Sequence, residues 1–180
     1  MLHKLLNRNK RAKGFTIIEV MIVLAIAGLI MVVVLIAVPQ LQRSQRNNAA
    51  TAVLDRTFTE IQNYASNNNG KFPATKGELD GFCTRYLEKT GSTCANETGA
   101  TFINDPKTGR PSRVAYSGAL IAAPTGMLTN GNSRTITVFS LASGTGFKCN
   151  GETVIAGSGG RQVAAIIPLE GGAFACRDNQ

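Results

Sequence analysis

The sequence is poor in the groups that carry out acid–base and metal chemistry. Its one histidine, His3, stands at the extreme N-terminus, tryptophan is absent, and no two cysteines fall in a C-x-x-C spacing. With no histidine after position 3, the commonest general base and the Ser–His and Cys–His arrangements have no member. Zinc has no binding pattern either. The glycines of AGSGGRQ (156–162) are not followed by Lys-Ser or Lys-Thr, so they read as a turn between strands and not as a phosphate-cradling loop. Asp105, Glu152, Glu170 and Asp178 match no calcium-loop spacing. These absences point away from an enzyme, from a resident cofactor and from a metal site.

Acidic residues are missing from the first fourteen positions, where Lys4, Arg8, Lys10, Arg11 and Lys13 place +5 of the net charge of +8. The rest of the chain holds 14 basic against 11 acidic residues and carries only +3. The basic balance is therefore a leader and not a dedicated nucleic-acid surface, although a weak basic stripe on an exported domain can still touch DNA. Charge then almost disappears. From Phe15 to Val38 there are 24 residues, and Glu19 is the only charged one. About 20 apolar residues cross a roughly 30 Å hydrocarbon core as a helix. A basic patch before such a span keeps that end in the cytoplasm and sends the other end out. No small-residue cleavage pattern follows the run, which continues VPQLQRSQRNN, so a conventional signal peptide fits poorly.

Beyond Pro39 the helical pattern resumes. Ala50, Leu54, Phe58, Ile61 and Ala65 recur every three or four residues as one apolar stripe, and Gly70 is a suitable stop. Gln42, Arg43, Arg46, Asp55, Arg56 and Glu60 are left for solvent or neighbouring chains. A helix from Phe15 to Asn69 would be about 80 Å long, with Pro39 and Gly28 as its points of flexibility. The stretch 71–110 is loop-like, with a short helix predicted between Glu78 and Glu88. Strands are predicted at Ser112–Ser117 and Thr135–Leu141, the latter preceded by the turn TNGNS. A last hairpin is predicted over Gln162–Leu169 and Ala173–Arg177, bent at Glu170-Gly171-Gly172. A long helix followed by a small antiparallel sheet is an α+β arrangement.

The cysteines, Cys83, Cys94, Cys149 and Cys176, all lie after the span, as disulfides in an exported domain would. Four cysteines allow three connectivities. The local pairs Cys83–Cys94 and Cys149–Cys176 close the shortest loops and are favoured. Asn96-Glu97-Thr98 meets the short glycosylation pattern, which recurs by chance. Tyr64, Tyr86 and Tyr116 are expected in packing before adhesion.

One carboxylate near the edge of a membrane span needs a reason, since a charge at the bilayer centre costs roughly 2.5–3.5 kcal/mol on insertion scales. The segment GFTIIEVMIVLAIAG resembles the N-terminal signature of type IV pilins and the related pseudopilins of type II secretion. The resemblance covers the basic leader, Gly14, Phe15, Thr16, Glu19 and the apolar run. It implies cleavage by a prepilin peptidase between Gly14 and Phe15, methylation of the Phe15 amine, and a role for Glu19 and Phe15 in subunit assembly. The segments NNNGKFP and NDPKTGRPSRVAYSG resemble later pilin segments, and a Cys149–Cys176 bridge would staple the C-terminal loop as in many pilins. The family's kink proline falls at Ile36 here, a departure. The implied organisation is a cleaved leader (1–14), a membrane and filament-core helix (15–38), its amphipathic continuation (39–69) and an exported head (70–180).

The expected function is a structural pilus subunit. It waits in the cytoplasmic membrane as a single-pass precursor and then joins an extracellular homo-oligomeric filament serving adhesion, twitching motility or DNA uptake. Implied partners are sister subunits, the prepilin peptidase, and an assembly platform with its ATPases, with weak DNA or host-surface contacts at the head. The alternatives are a pseudopilin or minor pilin and, from another class, a single-span anchored binding or sensory protein that keeps residues 1–14.

Overall fold

A computed structural model describes residues 14–88, 94, 104–110, 112–118, 134–140 and 146–180. The basic leader through Lys13, Asn96, the TNGNS turn and Leu141 lie outside the described residues. The chain divides into two compact units, Met1–Gln42 and Arg43–Gln180.

Helix α1, Ile17–Asn67, spans 51 residues and belongs to both units. Its backbone stays helical through Pro39, whose missing N–H leaves one carbonyl of the preceding turn without a helical donor. The helix ends where the sequence predicts. Asn69 and Gly70 both take positive φ (57° and 74°), and the Gly70 amide reaches back to the Ala65 carbonyl at 2.8 Å. That six-residue closure with left-handed residues is how helices commonly satisfy their last carbonyls.

In the second unit, the α1 stripe Ala50, Leu54, Phe58, Ile61 and Ala65 is fully buried, joined by Val53 and Thr57. Helix α2, Lys76–Tyr86, starts with a capping box in which Thr75 accepts from the Glu78 amide and Glu78 reaches back. It sends Leu79, Phe82 and Cys83 inward. Tyr64, Phe82 and Tyr86 meet ring to ring at centroid distances of 5.5–5.9 Å. The Tyr116 hydroxyl donates to the Ala74 carbonyl. All three tyrosines are thus used in packing or bonding within the head.

Six strands follow: β1 Arg113–Ser117, β2 Thr135–Phe139, β3 Phe147–Asn150, β4 Thr153–Ala156, β5 Ala164–Pro168 and β6 Phe174–Asp178. Four form a sheet in the order β1-β2-β5-β6, and β3 pairs with β4 separately. The sheet is antiparallel-rich, with one exception. β1 runs parallel to β2, Arg113 opposite Thr135. The seventeen residues between the two strands provide the length that a parallel crossover requires, so no tight hairpin joins them.

Alternation along β5 places the core on both faces of the sheet. Ala165 and Ile167 join α1, α2, Ile136 and Val138 on one side. Ala164 and Ile166 join Phe139, Phe147 and Cys176 on the other, where Cys149 and Val154 of the β3–β4 hairpin pack. That hairpin is absent from the sequence reading. Its signal is Asn150-Gly151, and Gly151 has φ 62°, at the loop position where a two-residue hairpin turn favours glycine. The whole is an α+β, type IV pilin-like architecture: a long N-terminal helix whose second half packs on an antiparallel-rich sheet.

Candidate functional site

The first unit presents an apolar helix with no buried face. Its large apolar side chains from Phe15 to Leu41 are all exposed, from 42% at Val38 to 89% at Phe15. Burying one such side chain is worth about 1.5–3 kcal/mol, so together they represent tens of kcal/mol held unburied. By length and composition this stretch is able to cross a membrane. A surface this apolar around its whole girth is costly to leave in water.

Gly14 and Phe15 are exposed and precede the first helical turn. Thr16 follows as the cap. Its backbone N–H and its hydroxyl donate to Glu19 Oε2 at 2.9 and 2.8 Å, while the Glu19 amide donates to Thr16 Oγ1 at 3.3 Å. Thr16-x-x-Glu19 is therefore a reciprocal capping box, two orphan amides of the helix start being satisfied by two side chains. The spacing is readable in TIIE, beside the more conspicuous charge of Glu19. Both Thr16 contacts fall on Oε2. A carboxylate accepts at both oxygens, so Oε1 is left for a further donor. Phe15 and Glu19 also border one apolar recess with Val20, Ile22, Val23 and Leu24. Gly28 sits mid-helix with open space where a Cβ would stand, and Pro39 lies a further eleven positions along.

In the second unit, Cys83 of α2 is bonded to Cys94, and Cys149 of β3 to Cys176 of β6, with Cα separations of 5.3 and 5.9 Å. The second bond fastens the β3–β4 hairpin to the last strand of the main sheet. Of the carboxylates weighed as cation ligands, Asp105 and Glu170 both face the Arg134 guanidinium, at 3.7 and 3.2 Å. Asp105 accepts from the amides of Lys107 and Arg134. Asp178 accepts from the Cys149 amide at 2.6 Å, and Glu152 lies exposed in the β3–β4 turn. Among the described residues no group of three His, Cys, Asp or Glu comes together.

Glu170 has a different role. Its carboxylate takes Arg46 through two contacts, 2.8 and 2.9 Å, and Arg134 through a third at 3.2 Å. Its backbone is held as well, by both ends of the Asn47 amide and by Arg43 Nε at 3.1 Å. Arg46 hydrogen bonding is the main reason that the Glu170 carboxyl sits below the ordinary carboxylate range, and it outweighs desolvation. Asp55 likewise pairs with Arg177, at 2.5 Å. Arg43, Arg46 and Asp55, read from the sequence as free for solvent or neighbours, instead bind the C-terminal hairpin across more than 120 residues. No local spacing announces such a contact.

Residues 9–35 match the family model of the prokaryotic N-terminal methylation motif. No curated protein and no solved structure matched the chain. The matched segment is the class III signal of type IV pilins, and it supports the pilin and pseudopilin family for this chain, a family of structural proteins.

Proposed function

We propose that this chain is a type IV prepilin. It is cut between Gly14 and Phe15 by a prepilin peptidase, methylated on the new Phe15 amine, and polymerised through its N-terminal helix into an extracellular filament. The observation that carries the reading is the placement of Glu19, the lone acid of the apolar helix, five residues after the exposed Gly14.

Cleavage removes the +5 leader and creates an ammonium on Phe15, next to the capping threonine. An isolated buried ammonium and an isolated buried carboxylate are each costly, and pairing lets both be buried as helices pack. In the single subunit Thr16 already satisfies Oε2. Oε1 then accepts the Phe15 amine of a neighbour, and only one axial stagger brings the two together. Glu19 acts as the registry device, while the apolar side chains from Phe15 to Leu41 supply cohesion. The mature subunit waits in the cytoplasmic membrane with its N-terminus inside. Sister subunits, the peptidase, and a platform with assembly ATPases are its partners, and the head contacts DNA or host surfaces weakly. Cys83–Cys94 and Cys149–Cys176 form in the oxidising compartment outside the membrane, and Gly28 and Pro39 let the helix bend during packing.

Intact mass of the chain extracted from cells with a working prepilin peptidase tests processing. A mass for Phe15–Gln180 plus one methyl group, rising by four hydrogens on reduction, is expected. A mass for the uncut chain overturns the proposal and leaves an anchored domain. Abundance in sheared filaments then separates a major pilin from a minor pilin or pseudopilin.

A further inference from the structure

The head contains a recess of about 280 Å³ between the α1–α2 connection, the end of β2 and the β4–β5 loop. Two cations line it, Lys71 from the first segment and Arg161 from the last. Neither makes an ion pair or side-chain hydrogen bond to any described residue, whereas Arg46, Lys76, Arg134 and Arg177 are all paired with acids. The one acid on the wall, Glu78, has its Oε2 occupied by the Ala74 and Thr75 amides at 2.8 and 3.1 Å, at the N-terminus of α2. Gln162 spends its side-chain oxygen on the Gly159 amide at 3.1 Å, which leaves its NH2 as a donor on the same wall. Phe72, half-buried against the core, gives the recess an apolar side.

Lys71 and Arg161, ninety residues apart in sequence, are both exposed at this recess, so an anion seated in it would meet two cations at once. The glycine-rich stretch AGSGGRQ makes the approach feasible. Gly157 leaves room for the Gln162 side chain, and Arg161 Nη1 passes 3.5 Å from where a Cβ on Gly70 would stand. We propose that this recess binds a small oxyanion, a carboxylate or phosphate group held by Lys71 and Arg161, with an apolar body resting against Phe72. The volume is at the lower end for ligand sites and suits a single small moiety.

The competing role for the two cations is to complement the C-terminal dipole of α1, which has no basic residue in its last turn. That role needs no ligand, and the two are separable. The mature full-length chain, isotopically labelled in neutral detergent micelles, is titrated with phenyl phosphate and with benzoate, sodium chloride serving as control at matched ionic strength. Saturable amide shifts around Lys71 and Arg161 are expected with at least one probe. The double variant K71Q/R161Q, its dispersed spectrum showing that it folds, weakens binding about tenfold or more, the effect of losing one charged hydrogen bond. R56Q, which removes a cation outside the recess, leaves it unchanged. Shifts that follow ionic strength alone, or equal binding by K71Q/R161Q, overturn the proposal, and a loss of stability in that variant without saturation in the parent assigns the cations to the end of α1.

Discussion

One helix is built under two different rules. Between Ile17 and Leu41, α1 is apolar around its whole circumference and buries none of its side chains. Between Arg43 and Asn67 it is amphipathic, burying Ala50, Leu54, Phe58, Ile61 and Ala65 against the sheet while polar groups face out. The second half has its partner within the chain. The first has none among the described residues. Under the proposed assembly, the stability of the head and the stability of a filament are coded in separate stretches of one element, and substitutions in each should report on one and not the other.

The largest effect on that contrast is expected from a pair of leucines. Leu54→Ala removes a side chain with no exposed surface and should destabilise the head by about 2–5 kcal/mol. Leu35→Ala removes one that is 69% exposed in the single chain and should leave the head's thermal unfolding in micelles unchanged while weakening filaments. Equal losses of head stability would erase the distinction between the two halves.

Next in size is the bond between the β3–β4 hairpin and β6. Replacing Cys149 and Cys176 together by serine opens a loop with a sequence separation of 27. The chain-entropy treatment then gives a loss of about 3.5 kcal/mol, against about 2.8 kcal/mol for the shorter Cys83–Cys94 loop. Denaturant midpoints of the two double variants should fall in that order.

The Glu170 cluster is smaller and depends on pH. Glu170→Gln leaves Arg46 without its charged partner and Arg134 with Asp105 alone, 3.7 Å away, and should cost about 2 kcal/mol at neutral pH. Because the folded-state pKa of Glu170 lies below its unfolded value, its contribution is complete above the ordinary carboxylate range. It is lost as pH falls through the lowered folded value. The difference between parent and variant should therefore shrink on acidification below about pH 4. A difference that is constant across that range would remove the ion cluster as its cause.

Smallest is the cap. Thr16→Val deletes the hydroxyl that bonds Glu19 and should cost about 1 kcal/mol at the helix start, seen as faster amide exchange over residues 17–20. Unchanged exchange there would show that the capping box does not hold the first turn.

Local pattern made much of this legible. The stripe on α1, the α2 helix and the β5–β6 hairpin each announce themselves by periodicity or turn residues within a window of a dozen positions. The β3–β4 hairpin did not, because its strands are four residues long and largely half-exposed, with little alternation to read. The parallel pairing of β1 with β2 depends on the path of a long connection, which composition does not specify. The clamp of Glu170 on Arg46 joins residues 124 apart, and charge alone gave no reason to prefer that pair over others. At the N-terminus, the charge, glycine and apolar run of the candidate site were readable, and the T-x-x-E cap was equally local.

The most direct measurement is the fate of Glu19→Ala in cells, followed by intact mass and by recovery in sheared filaments. Register set by Glu19 predicts a chain that is cut after Gly14, methylated and retained in the membrane, with filaments lost. Filaments at parental abundance, built from a correctly processed Glu19→Ala subunit, would contradict it and leave the acid as a helix cap alone.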